Sequence, residues 1–397
     1  MRILTVGNMF PPHHLGGYEL VWESSVSHLL AGGHAVRTLT TNFKLADAGP
    51  DAEQTDVHRE LWWYWRDHDF PRPTLLDRWR LERHNAAVLD RHLVEFRPDV
   101  VAWWAMGGMS LSSIERVRWA GIPAVGVVCD DWLLYAPRVD AWTRMFSSRP
   151  RAASLVERAT GIPTSSDIAG VRLWLFPSEA TRSAARASGC ELGETEVCHQ
   201  GVDPRLFPPA PEAPWDWRLL YVGRIDPRKG IELAVRALAD CPPEATLTVA
   251  GGGDDVHMEQ LRTLAGKLGL EARVTFTQRP RDRLVDLYAG ADSLLFPVLW
   301  SEPWGLVPLE AMSVGTPVIA SGRGGSGEYL RDEENCLIFD PDSGAGALAE
   351  SIRRLAADPA LRAHLRERGF ETAGRFSEDA FNSAVERTLQ RAVTREG

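Results

Sequence analysis

Two carboxylates, Glu302 and Glu310, bracket the stretch Pro303-Trp304-Gly305-Leu306. On one continuous helix they would lie about 12 Å apart along the axis, too far to share a reacting atom. Pro303 and Gly305 instead place Glu302 in a loop and Glu310 inside the helix that follows. The helix N-terminus then faces an anion, while the carboxylates accept hydrogen bonds from hydroxyls on either side of it. A nucleotide sugar has that layout: sugar hydroxyls, diphosphate, ribose hydroxyls. Upstream, Arg224 and Lys229 stand five apart in the loop Val222-Gly-Arg-Ile-Asp-Pro-Arg-Lys-Gly230, where both can converge on one diphosphate. Each charge-assisted bond would contribute roughly 1.5–3 kcal/mol. The chain has only three lysines, Lys44, Lys229 and Lys267, so a lysine in this loop is informative. The plainer alternative is a solvated basic loop.

Other chemistry-bearing residues are less specific. Gly16-Gly17 follows an apolar run and opens a helical one; it suits either a tight turn or an anion contact through backbone N–H groups. His13-His14 lacks the spacing of a metal site and reads as an active-site loop with an acceptor contact or as a plain surface loop. Asp130-Asp131 follows another apolar run and either meets substrate hydroxyls or caps a turn. Fifteen tryptophans are many for 397 residues, and eleven of them lie before residue 200. Trp104 and Trp132, like the run Leu61-Trp-Trp-Tyr-Trp65, whose alternation is compatible with a strand, either pack in a core or stack on an acceptor.

Positioning these groups requires an alternating chain. Apolar runs at Ile3–Gly7, Ala35–Thr40, Val100–Trp104, Ala124–Val128 and Arg172–Pro177 read as strands, with helical periodicity at Tyr18–Leu30, Leu75–Phe96 and Ser110–Ala120. The same alternation resumes after residue 217, with strands at Arg218–Val222, Ala245–Ala250, Arg273–Thr277, Ser293–Phe296 and Pro317–Ala320. The pattern predicts an α/β protein with two doubly wound parallel sheets. Residues 1–203 form the first domain, the proline-rich stretch 204–216 the linker, and 217–375 the second domain. A polar stretch, Asp140–Ser166, reads as a mobile loop.

The formal net charge of −10 argues against a sequence-independent nucleic-acid binder. Five scattered cysteines without a C-x-x-C pair suggest reduced thiols in a cytoplasmic protein. Met1–Pro12 lacks the pattern of a signal peptide, and no apolar run is long enough to cross a bilayer, which leaves only peripheral membrane contact.

Glu302-x7-Glu310 with Ala311-Met-Ser-Val-Gly-Thr-Pro-Val-Ile-Ala320 resembles the signature of glycosyltransferase family 4, retaining enzymes of the GT-B fold. Gln200–Asp203, Val222–Gly230, Val249–Gly253 and Gly322–Glu328 are similar to further motifs of that family, in its order. The likeness is strong from about residue 200 to 340, moderate over the first 40 residues and thin between. It implies two Rossmann-like domains facing across a cleft, the donor bound mainly by the second and the acceptor by the first, with the helix 376–397 packing back on the first. Arg224 and Lys229 would neutralise the donor diphosphate, and Gly16 and Gly17 would supply backbone N–H groups. Glu310 would hold the ribose hydroxyls. Glu302, with backbone N–H groups near Trp304, Gly305 and Leu306, would hold the donor sugar, and Arg279 and Val298 would line the base pocket. The resemblance further implies a metal-independent reaction without a cofactor, in which the departing diphosphate helps deprotonate the acceptor hydroxyl. UDP is the favoured nucleotide, with GDP and dTDP open; a polysaccharide intermediate, a lipid-linked glycan and a natural product are all open as acceptors. Where the family commonly carries His-Asp, this chain has Cys129-Asp130. A thiol is a poor substitute for an imidazole donor, so either Asp130 takes over the hydroxyl contact or the donor sugar lacks that hydroxyl. A nucleotide-sugar epimerase or a lapsed nucleotide-sugar binder on the same fold is the alternative reading.

Overall fold

A computed structural model of the chain describes residues 1–46, 48–51, 55–66 and 69–394. They form two compact units, Met1–Cys198 with Asn382–Gly397, and His199–Phe381.

The first unit runs β1 (Arg2–Val6), α1 (Gly17–Ala31), β2 (Ala35–Thr41), β3 (Asp56–Leu61), α2 (Leu75–Phe96), β4 (Val100–Trp103), α3 (Ser112–Trp119), β5 (Ala124–Val127), α4 (Trp132–Val139), α5 (Thr143–Phe146), α6 (Pro150–Thr160), β6 (Leu173–Phe176), α7 (Glu179–Ala187) and β7 (Glu194–Val197). Its sheet has the order β3-β2-β1-β4-β5-β6-β7, with every pairing parallel. The central strands β4, β5 and β6 are buried along their whole length, as strands covered on both faces must be, and that makes them short continuous apolar runs.

The second unit continues with β8 (Arg218–Val222), α8 (Ile231–Ala239), β9 (Thr246–Ala250), α9 (Asp255–Lys267), β10 (Val274–Thr277), α10 (Leu284–Gly290), β11 (Ser293–Phe296), α11 (Leu306–Val314), β12 (Val318–Ala320), β13 (Leu337–Ile338), α12 (Ala345–Ala357), α13 (Pro359–Gly374) and the start of α14 (Glu378–Thr394). Its parallel sheet has the order β10-β9-β8-β11-β12-β13. From Asn382 onward α14 belongs to the first unit. There Ser25 donates to Asn382 at 2.6 Å, His28 and His34 meet Glu386, and Arg391 pairs with Glu194 and Glu196.

Three expectations need correcting. The proline-rich stretch is not a free linker, because Phe207 is fully buried, the Ala210 N–H donates to the Val314 carbonyl and Ser313 donates to the Phe207 carbonyl. The chain passes between units at Cys198/His199 instead. Asp140–Ser166 is not a mobile loop, since α5 and α6 occupy most of it and Trp142, Phe146 and Ile162 pack with Tyr64 and Leu81. The buried Asp140 carboxylate accepts from the N–H groups of Leu111, Trp142 and Thr143. Finally, β3 stops at Leu61. Beyond it the Asn85 side chain takes both Trp62 backbone groups, at 2.8 and 2.7 Å, and Tyr64 N–H donates to Gly108, so the alternation continues without a ladder.

Candidate functional site

In each sheet the first strand is flanked by strands reached in opposite directions, and loops at that switch point open a crevice at the carboxyl ends. In the second unit these loops are residues 223–230 after β8 and 297–305 after β11. They are locked together at Gly230, whose φ is +71° and whose Cβ, were there one, would lie 1.9 Å from the Pro297 carbonyl oxygen. The Leu299 N–H also donates to the Arg228 carbonyl at 2.8 Å. That contact sets Lys229 beside Glu302, with its Nζ donating to Oε2 at 2.7 Å. The Trp300 indole N–H donates to the same oxygen at 2.8 Å, and the Trp300 ring lies under the Arg228 guanidinium and the Lys229 ammonium, 4.4 and 5.3 Å from its centre. Arg224, on the same loop, is 3.6 Å from Asp226, which Arg228 also grips at 2.8 Å. Burial acts to raise the Asp226 carboxyl, but hydrogen bonds from the Arg228 side chain and backbone outweigh it and hold the group at about 2.

Glu302 is fixed from behind as well. Gly325 N–H donates to its carbonyl at 2.6 Å, and a Cβ at Gly324 would lie 2.4 Å from the same oxygen. Gly305, with φ +86°, turns the chain into α11, whose first turn from Leu306 leaves backbone N–H groups at its open end. Glu310 lies inside that helix, buried, accepting from the Tyr288 hydroxyl at 2.8 Å and from Arg281 at 3.4 Å. The Trp304 side chain serves the core: its N–H donates to the Gln200 carbonyl and its ring stacks on His199 at 4.4 Å. The two expected base-pocket residues differ in their surroundings. Val298 is fully buried in the core behind β11, and Arg279 is exposed. The cation beside Glu310 is Arg281. Arg281, Tyr288 and Trp300 escaped sequence reasoning; only Trp300, two residues before Glu302, carried a local signal. An apolar cavity of about 330 Å³ in this unit is lined by Val202, Pro204 and Phe370 and includes none of the charged residues above.

In the first unit, Gly16 N–H donates to the Glu19 carboxylate at 3.2 Å at the start of α1, and a Cβ at Gly17 would meet nothing within 4 Å. His13 is buried and accepts from Leu45 N–H; burial, then Arg59, lowers its pKa. His14 is tied to the Gly16 carbonyl. Asp130 accepts from Trp132 N–H at 3.0 Å, a turn-capping contact at the head of α4, and Asp131 is the residue before that helix. The rings first named for acceptor contact are core residues: Trp104 stacks on Trp22 and Trp132 packs against Trp174, all four almost fully buried. Beyond β3, Trp62 is 41% exposed and stacks on His84, while Phe43 after β2 and Trp63 and Trp65 form a partly exposed cluster with centroids 4.8–5.9 Å apart. Elsewhere, His58, Glu60 and His92 converge within 4.8 Å, but Arg37 and Arg91 already bind into that group, making it an ion network. No described helix is long and apolar enough to cross a membrane.

Residues 205–372 match the family described as glycosyl transferases group 1. The chain is 35% identical over 214 residues to the D-inositol 3-phosphate glycosyltransferase of Acidothermus cellulolyticus, covering 48% of this chain and 46% of that protein. It thus spans about half the length of such relatives. It is 28% identical to the glycogen synthase of Mycobacterium tuberculosis over 389 residues, 91% of this chain and 87% of the other. Among solved structures, sucrose-phosphate synthase from Thermosynechococcus elongatus superposes with a TM-score of 0.75 at 22% identity, covering 98% of each chain. Anabaena HepE in complex with UDP-glucose gives 0.71 at 21%, covering 98% of this chain and all of that one. At these identities the structural likeness is one of fold. Residues 205–372 are therefore similar to the group 1 glycosyltransferases, and the chain as a whole carries the two-sheet GT-B fold.

Proposed function

We propose that the protein is a retaining, metal-independent glycosyltransferase of the cytoplasm that moves a sugar from a nucleoside diphosphate sugar, UDP being favoured, to an acceptor hydroxyl. The observation that carries this is the grouping of Lys229, Glu302 and Trp300 where the loops after β8 and β11 meet, with Glu310 inside the helix that follows, within the segment that matches glycosyltransferases. Lys229 and Arg224 supply positive charge for the leaving diphosphate, where fixed charges lower the barrier most. Glu302 accepts from donor-sugar hydroxyls and Glu310 from the ribose. The structural neighbours bound to UDP and to UDP-glucose support the choice of nucleotide. Departing diphosphate oxygen takes the acceptor proton, so no protein base is assigned. The acceptor docks on Phe43, Trp63 and Trp65 and is a carbohydrate, a lipid-linked glycan or a natural product.

The test is a panel of UDP-, GDP- and dTDP-sugars screened for protection against thermal unfolding, followed by product analysis by NMR. Stabilisation by one class, with transfer or slow hydrolysis that keeps the anomeric configuration, supports the reading. Stabilisation by none defeats it, and a sugar returned on its nucleotide with changed configuration indicates an epimerase instead.

A further inference from the structure

We infer that Trp300 is a positioning residue that decides which oxygen of Glu302 meets the donor sugar; this rests on the donor-site reading above. Both protein donors that reach the Glu302 carboxylate, Lys229 Nζ at 2.7 Å and Trp300 Nε1 at 2.8 Å, converge on Oε2. No described residue hydrogen-bonds to Oε1. A carboxylate whose one oxygen is saturated and whose backbone is pinned by Gly324 and Gly325 cannot swing, so it offers a single aimed acceptor. Lys229 by itself would not achieve this. An ammonium on a flexible stem follows whichever anion is nearest, and an incoming diphosphate competes for it. The indole N–H has no such competitor, being donor-only and on a rigid ring. That ring is in turn held by Arg228, stacked 4.4 Å from its centre, and Arg228 is anchored to Asp226 at 2.8 Å. The chain Asp226–Arg228–Trp300–Glu302 therefore links the loop that carries the diphosphate-binding cations to the carboxylate that reads the sugar. When Lys229 turns to a diphosphate, Trp300 keeps Oε2 occupied and Oε1 directed at a sugar hydroxyl.

The substitution that tests this role is Trp300→Phe, which keeps a six-membered aromatic ring for Arg228 and Lys229 and removes the N–H together with the fused five-membered ring, a loss of ring that the double variant below controls for. With UDP-glucose as donor, the full chain carrying Trp300→Phe is expected to lose about ten- to hundredfold in kcat/KM, the range for one hydrogen bond to a charged group. Affinity for UDP alone, read by thermal shift, should stay within about twofold, because the diphosphate and ribose contacts do not pass through the indole. A residue that merely supports the fold would lower both together. In a Glu302→Gln background the same Trp300→Phe change should cost less than about threefold, since its target has been altered. Unchanged kcat/KM in Trp300→Phe, parallel loss of UDP affinity, or fully multiplicative losses in the double variant would each overturn the inference. Wild-type protein that neither binds UDP nor releases it from UDP-glucose would overturn the donor-site reading, and this inference with it.

Discussion

Lys229 and Glu302 are 73 positions apart in sequence and 2.7 Å apart in space. Each side chain is largely shielded, so neither charge is well solvated without the other. Replacing Lys229 with Ala is expected to reduce transfer about 10²–10³-fold, as loss of one preorganised charge-stabilising donor does. Glu302→Ala should do the same, while circular dichroism and the unfolding midpoint confirm a folded chain; near-normal turnover in either variant would remove the pair from the site. At this scale the sequence was informative where residue type was rare or spacing distinctive. Arg224, Lys229, Glu302 and Glu310 stood out because a scarce lysine sat in a glycine-bounded loop and two carboxylates bracketed a helix start. Arg281 and Tyr288 did not, because their partner Glu310 is 29 and 22 residues away and nothing local marks the contact.

Elements hold these residues through backbone conformations that only some side chains allow. Gly230 sits at φ +71° with the Pro297 carbonyl where a Cβ would be. Gly230→Ala should therefore cost about 2–4 kcal/mol, through positive-φ strain and displacement of the loop after β11, and should raise the donor KM as well. A shift in donor KM without loss of stability would show that the two loops are not coupled through this glycine. In the first unit, Glu82 on α2 is buried among Tyr64, Ser110 and Ser112. Burial, then the nearby Asp140 carboxylate, pushes its pKa from 4.5 up to about 8. The folded state therefore binds this proton more tightly than the unfolded chain. Below about pH 4.5 the group is neutral in both states and makes no difference; stability is lost as pH rises from there to about 8, and the loss is complete above it. Denaturant midpoints for wild type and Glu82→Gln should diverge by more than about 1 kcal/mol between pH 5 and pH 8, in favour of the variant at high pH. Parallel curves would place the carboxyl in a more hydrated setting than the structure gives it.

For the whole molecule, nucleotide-sugar binding and acceptor recognition are predicted to be separable. A donor at about 100 times its Kd should add about 2.7 kcal/mol to the stability of the binding-competent state. Trp63→Ala and Trp65→Ala should leave that increment intact while raising the acceptor KM about tenfold, because these rings are half-exposed in the first unit. An equal loss of donor stabilisation would deny them an acceptor role. Transfer in chelator-treated protein should stay within about twofold of the untreated rate if, as proposed, Arg224 and Lys229 supply the charge that a divalent ion supplies elsewhere; collapse of activity on chelation, restored by added metal, would refute that.

The sequence by itself determined the alternation of strands and helices and the two parallel sheets, and it singled out the carboxylates and cations on which the proposed donor site rests. These depend on local periodicity and on motifs whose spacing is set within one loop and the helix after it. It was weaker wherever strands are not uniformly apolar. The edge strands β3 (Asp-Val-His-Arg-Glu-Leu) and β7 (Glu-Thr-Glu-Val) have solvent on one side and so lack the continuous apolar run of the central ones. The proline-rich stretch misled for a related reason: proline blocks regular structure, but does not prevent Phe207 and Ala210 from packing against α11. Only the tertiary structure decided which tryptophans are core. Trp104 and Trp63 look alike in sequence, each in an aromatic pair, but one directly follows a central strand and stacks on Trp22 of α1 and the other follows an edge strand, and burial is set by what lies across from a side chain, not by its neighbours along the chain. The same reason placed Trp300 under two cations and against Glu302, a role that depends on the meeting of two loops about 70 residues apart.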